Sequence, residues 1–250
     1  MRTLSTLFLI CFSSLLSAQV SFDKYFTGKV LRFDFMFAGN NQKTTVYPVG
    51  MKEEPFFGGS KTQLIDPFSY GNFKYELYSS NDQNLIYSRG FCTLYQEWQT
   101  TAEAKVMERS YYEVATMPFP KNKVRFVISI REKNGSFSKL YETEIDPADY
   151  FIRKDKPVNV SVTKTYYAGD PAVNVDLAFI AEGYKAEEMG KFRDDIRKMA
   201  DLLFQEPPFS DYRNKINIWA VEAVSQESGT DIPGENIYVN TETKTFSSKE

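Results

Sequence analysis

The chain has 250 residues, 30 Lys and Arg against 33 Asp and Glu, two cysteines and no histidine. Without histidine it can build neither a zinc centre on a helical HExxH motif nor a Ser–His or Cys–His nucleophile pair. The mildly acidic balance, with a pI near 5.3 and no dense run of Lys or Arg, argues against nucleic acid or an anionic membrane as partner.

The first element is a leader. "MRTLSTLFLICFSSLLSAQV" places Arg2 before an apolar run from Leu4 to Leu16, then small residues at Ser17 and Ala18. That is the layout of a secretory signal peptide, and the run is short for a membrane span. Cleavage is expected after Ala18, which implies export to a secreted, periplasmic or extracellular location. Cys11 is a poor lipidation site because bulky Ile10 precedes it. Beyond the leader only Cys92 remains. A lone thiol forms no internal disulfide, so the fold must rest on its apolar core, and Cys92 is expected to be buried there.

From about Val30 to Ile145 the chain reads as strands, helped by its 21 Phe and 16 Tyr. "LRFDFMFAG" alternates Leu31, Phe33, Phe35 and Phe37 with Arg32, Asp34 and Met36, the period of a half-buried strand. "NFKYELYSS" sets Phe73, Tyr75 and Leu77 on one face; "NDQN" turns the chain and "LIYSRGF" returns. "KVRFVISIREKNGSFSKLYETEI" is a second hairpin with Asn134-Gly135 at its tip, where positive φ is required. "FFGGSKT" (56–62) lacks phosphate-loop spacing and reads as a turn. Thr93 to Val114 reads as a strand at each end with an undecided centre. Several short strands separated by turn residues predict an antiparallel β-sandwich over residues 19–155. "DPADYFIRKDKPVNV" is its boundary.

Residues 156–250 have a different pattern. "VDLAFIA" is apolar except for Asp176 and is expected to be covered on both faces. After the turn "EGY", a helix from about Ala186 sets Met189, Phe192, Ile196, Met199 and Leu203 on one stripe. Glu187 and Glu188 face the positive end of its dipole. Pro207 and Pro208 follow, then a second strand, "KINIWAVEAV". Strand, helix, strand predicts a parallel βαβ unit with a right-handed crossover. The fold class is thus α+β: an N-terminal β-sandwich followed by an incomplete α/β segment. In open α/β sheets, ligands sit beyond the carboxyl ends of the strands. Glu182, after the first strand, and Ser228 and Asp231, after the second, are therefore placed to line a cleft. The plainer alternative is turn chemistry. With 33 acids in the chain, no carboxylate pair stands out as a glycosidase pair.

"LIDPFSYG", "LIYSRGFCTLYQEWQTTAEA", "MPFPKNKVRF", "FIAEGY", "EEMGKFRDDI" and "EPPFSDYRNKINIWAVEAVSQESGTDIPG" resemble the secreted M64 metallopeptidases, relatives of an IgA-cleaving bacterial peptidase. The resemblance covers nearly all of the chain after the leader. It implies a zinc enzyme acting on protein or peptide substrates, with zinc held downstream by the two His of an HExxH helix whose Glu is the general base. No residue here matches a zinc ligand or that Glu, so the resemblance supplies no catalytic, cofactor-binding or metal residue, and no cofactor is expected on this chain itself. Lys185 stands where relatives often carry Ser or Thr; Glu188 can still accept from nearby backbone donors, as in half of a capping box. The expectation is a truncated start of an M64 catalytic domain behind its β-domain. The alternative is a binding module whose β-sandwich recognises protein or glycan.

Overall fold

A computed structural model describes residues 19–243 except 155, 157 and 158. The expected leader, its cleavage site and Cys11 lie outside the described residues. The fold is rich in β-structure, with three open sheets and few helices. A one-turn helix α1 (Phe22–Tyr25) leads into strands β1 (Phe26–Gly39), β2 (Thr44–Glu54), β3 (Phe73–Ser79) and β4 (Leu85–Phe91). Helix α2 (Leu94–Gln99) precedes β5 (Arg109–Pro120), β6 (Val124–Arg131), β7 (Phe137–Ile145) and the two-residue β8 (Arg153–Lys154). One four-stranded sheet runs β5-β1-β2-β8 and another β4-β3-β6-β7.

The alternation in β1 buries Leu31, Phe33, Phe35 and Phe37 almost completely. Rings from the two sheets meet directly. Phe33 lies 4.7 Å from Phe126, and Phe37 lies 4.4 Å from Phe73, centroid to centroid. One apolar cluster therefore joins both sheets. On the opposite face of β1, Asp34 is also buried. Its charge is met by Arg32, whose Nε donates to Oδ1 at 2.6 Å. Both expected hairpins form, β3 with β4 and β6 with β7. Gly135 takes φ +86° at the tip of the second, where Gly135 N–H donates to Glu132 O.

The stretch from Thr93 to Val114 is strand only at its second end. Thr93 caps α2 by accepting from Gln96 N–H. Tyr95 and Trp98, three residues apart, both turn inward against Tyr111. The density of aromatics suggests a strand, but their spacing is helical. Cys92 is exposed, not buried as expected; it sits between β4 and the Thr93 cap, outside the period-two pattern that fills the core.

An 18-residue connection without helix or strand links β2 to β3 (55–72). It is longer than the turn read over 56–62, and it is pinned. Leu64 is buried in the core. Ser88 N–H donates to Leu64 O, and Asp66 N–H donates to Ser88 Oγ. The Asp66 carboxylate accepts from the N–H groups of Phe68, Ser69 and Gly90 at 2.9–3.1 Å. Burial pushes its pKa up, but these backbone donors, with Arg89 nearby, outweigh burial and hold it below the ordinary carboxylate range. Arg131 donates to Ser69 O and Gly71 O. The connection packs so close to β4 that a Cβ on Gly90 would lie 1.9 Å from Tyr70 O. Gly90→Ala must therefore displace the connection. The expected outcome is a loss of roughly 1–3 kcal/mol in denaturant unfolding, with faster amide exchange over residues 64–71. Unchanged stability and exchange would contradict this packing.

The C-terminal half holds β9 (Ser161–Tyr166), β10 (Val175–Ile180), α3 (Met189–Leu203) and β11 (Ile216–Glu222). The order β10-β11-β9 puts β11 in the middle. β10 pairs with it in parallel and β9 antiparallel, Val175 lying opposite Ile216 and Thr163 opposite Ala220. Its apolar cluster shares no residue with that of the N-terminal half. Here two expectations are corrected. β10 is an edge strand covered on one face only: Leu177 and Phe179 pack toward the core, while Asp176, Ala178 and Ile180 on the other face are exposed, Ile180 to 55%. On α3, Met189, Phe192 and Ile196 are buried, but Ala200 completes the stripe and Met199 is exposed. At 3.6 residues per turn, Met199 has drifted off the buried face.

Asn217, fully buried on β11, ties this half together. Its Oδ1 accepts from Ala168 and Gly169 N–H, and its Nδ2 donates to Gly169 O and to Asp176 Oδ1. Trp219 Nε1 donates to the same Asp176 oxygen.

Candidate functional site

The carboxyl ends of β10 and β11 carry two loops that pack on each other. Gly183, in the loop after β10, has φ +69°, and its carbonyl accepts from Gly229 N–H. A Cβ there would meet Gly229 O at 1.9 Å, so both the positive φ and the close approach require glycine. Ser225, nearly fully buried just beyond β11, accepts on Oγ from Gly183 N–H and Glu242 N–H, both at 3.1 Å. Ser225 N–H in turn donates to Tyr184 O. These bonds fix the distance between the loops.

The three residues expected at this edge occupy different settings. Glu182 accepts on Oε2 from Thr243 N–H at 3.0 Å. Ser228 Oγ donates to Glu188 at the start of the helix. Asp231 accepts from Val239 N–H at 2.7 Å, closing the turn between them. Glu188 also accepts from Lys185 N–H at 2.9 Å, which supplies the helix start with the carboxylate half of a capping box where Lys185 offers no hydroxyl. The bond to Lys185 N–H, then the Ser228 hydroxyl, hold the Glu188 carboxyl below its ordinary pKa. Ser228 and Glu188 thus meet, while Glu182 and Asp231 each bind a backbone N–H.

A second polar group closes the same end of the sheet. Glu222, the last residue of β11, accepts from Thr163 Oγ1 at 2.7 Å and from Arg193 Nη1 at 2.8 Å. Those two bonds, Thr163 first, lower its pKa. It joins β9, β11 and α3. Sequence reasoning missed Ser225 and Glu222. Each was findable only as a polar residue at the end of an apolar strand, a signal shared by most strand ends.

Two family models account for most of the chain. Residues 21–142 match the Peptidase M64 N-terminus and residues 163–247 match the IgA Peptidase M64 domain. The chain belongs to the M64 peptidase family. No curated protein matches it. The M64 N-terminal match begins at α1 and runs into β7, and the peptidase match spans the sheet of β9, β10 and β11 with both loops at its edge.

M64 enzymes are metallopeptidases, so the family implies zinc. The residues of this chain do not fit that ion. There is no histidine among the 250 residues, and the described residues hold no cluster of three or more His, Cys, Asp or Glu suited to a metal. Cys92 stands in the N-terminal half, away from the M64 peptidase match. The carboxylates at the sheet edge are already engaged by backbone amides, a hydroxyl and an arginine. No catalytic step can be derived through zinc from this arrangement. What it does chemically is lock two loops and a helix start to the carboxyl edge of a sheet.

Proposed function

We propose that these residues supply two parts of an exported M64 zinc metallopeptidase acting on protein or peptide substrates. They are an N-terminal β-sandwich domain, residues 19–155, and the opening strand–helix–strand of the catalytic domain, residues 156–250. The zinc ligands and the general base lie outside them. The observation that carries this reading is the tandem M64 match in a sequence that has no histidine. In this reading the leader is cut after Ala18, and Glu182, Ser228 and Asp231 border the cleft of the complete catalytic domain. Among the described residues no helix is long and apolar enough to cross a membrane. The test is the coding DNA that follows the codon for Glu250. An HExxH sequence there, in frame or displaced by one base, is the expected result; its absence from all three frames overturns the reading.

A second role, a binding module in the β-domain, is favoured by one observation: two exposed aromatic rings held on the pinned connection between β2 and β3.

A further inference from the structure

We propose that the connection between β2 and β3 forms a saccharide-binding site on the β-domain, with Phe68 and Tyr70 as its stacking surface. The inference deepens the binding-module reading and does not depend on zinc chemistry.

The rings of Phe68 and Tyr70 are parallel to within 12°, with centroids 5.3 Å apart. They are 68% and 73% exposed. Exposed aromatics on a slack loop would carry little meaning, but this connection is anchored on both sides of the pair. Asp66 gathers the N–H groups of Phe68, Ser69 and Gly90, and Arg131 holds the carbonyls of Ser69 and Gly71. Ser69, between the rings, takes a left-handed φ of +49°. That conformation is unfavourable for a residue with a Cβ and persists only where surrounding bonds impose it. The fold thus maintains local strain at the residue that joins two water-exposed rings. Preorganised aromatic surface of this kind lowers the ordering cost of binding.

The pair borders a groove of about 370 Å3, within the range of small-ligand sites. Gln63 and Arg89 supply exposed polar groups on its rim. Arg89 lies on this rim beside Tyr87, and its guanidinium has five N–H donors with which to meet a ligand. A pyranose ring fits such a surface: its C–H face is apolar and lies on an aromatic plane, while its hydroxyls point outward toward planar donors and acceptors. An extended peptide fits less well. β4 is the edge strand of its sheet, but the connection already takes its outward N–H groups, Ser88 bonding Leu64 O and Gly90 bonding Asp66 Oδ2. Strand addition, the usual way an edge captures a peptide, is closed off here.

The test applies the purified full chain, in the presence of a metal chelator, to a printed array of neutral and acidic oligosaccharides and to an array of proline- and aromatic-rich peptides. The strongest glycan is then titrated calorimetrically. The expected result is chelator-insensitive binding of at least one glycan, weakened roughly tenfold or more by Phe68→Ala and by Tyr70→Ala. Both residues are exposed, so both variants should unfold like the parent chain. Tyr47→Ala, at an exposed aromatic on β2, should bind as the parent does. Failure to bind any glycan, glycan binding untouched by either ring substitution, or ring-dependent binding of peptides alone would each overturn the proposal. None of these outcomes bears on where the zinc ligands lie.

Discussion

Phe37→Ala is expected to destabilise the β-domain by about 3–5 kcal/mol, read as a shift in its chemical unfolding midpoint. Phe37 has no exposed surface and sits where both large sheets and α2 converge. Its ring stacks on Phe73 at 4.4 Å, meets Phe35 edge-on at 5.1 Å, and lies within 6.3 Å of Tyr95 and Phe91. Truncation removes apolar burial and leaves a cavity ringed by rigid aromatics, which collapse poorly into it. A domain's whole stability is roughly 5–15 kcal/mol, so the variant should be marginal at best. Phe37→Leu should lose less, because it leaves a smaller void. Phe56→Ala, at a side chain 78% exposed, should stay within about 0.5 kcal/mol of the parent. Equal losses at Phe37 and Phe56 would mean that the two sheets do not close over this ring.

Asn217→Ala is expected to cost the C-terminal half about 2–4 kcal/mol, because one buried side chain satisfies four hydrogen-bonding groups. Alanine leaves the Ala168 and Gly169 amides without their acceptor and Gly169 O without this donor, while Asp176 is left with the bond from Trp219 Nε1. The segment between β9 and β10 then loses the bonds that tie it to the central strand. Asn217→Asp separates polarity from shape. It keeps an acceptor for the two amides but sets a second carboxylate at the 2.8 Å contact with Asp176. Two carboxylates that close cannot both ionise cheaply, so one takes a raised pKa. A group whose folded pKa is raised contributes stability at low pH and loses it as pH rises through that value. Asn217→Asp should therefore be nearer the parent at pH 4 than at pH 7, whereas Asn217→Ala should show no such recovery. A flat pH response of the Asp variant would mean that the carboxylates do not meet.

Local patterns of β1, the two hairpins and α3 were legible because period two and period 3.6 are written in adjacent residues. Three features escaped for one shared reason: their partners are far away in sequence. β9 looks like a lead-in until it pairs with β11, some 55 residues later by register, Thr163 lying opposite Ala220. β10 reads as fully buried because its composition is apolar, yet the face that carries Ala178 and Ile180 is uncovered and exposed. The connection between β2 and β3 reads as a turn because its anchors, Ser88, Gly90 and Arg131, sit on other strands. The helix α2 escaped for a different reason, since its aromatic content outweighed the capping signal of Thr93. Glu182, Ser228 and Asp231 are candidates on topology alone, while Ser225, which holds the two loops together, gave no pattern to read.

In the proposed reading, these residues carry M64 architecture without the residues that hold zinc. The most direct measurement is calorimetric zinc titration of the purified 250-residue chain, paired with a peptide-cleavage assay with and without chelator. With no histidine in the sequence and one exposed thiol among the described residues, no stoichiometric tight site and no chelator-sensitive cleavage are expected. One zinc bound tightly per chain, together with cleavage that a chelator abolishes, would contradict that reading.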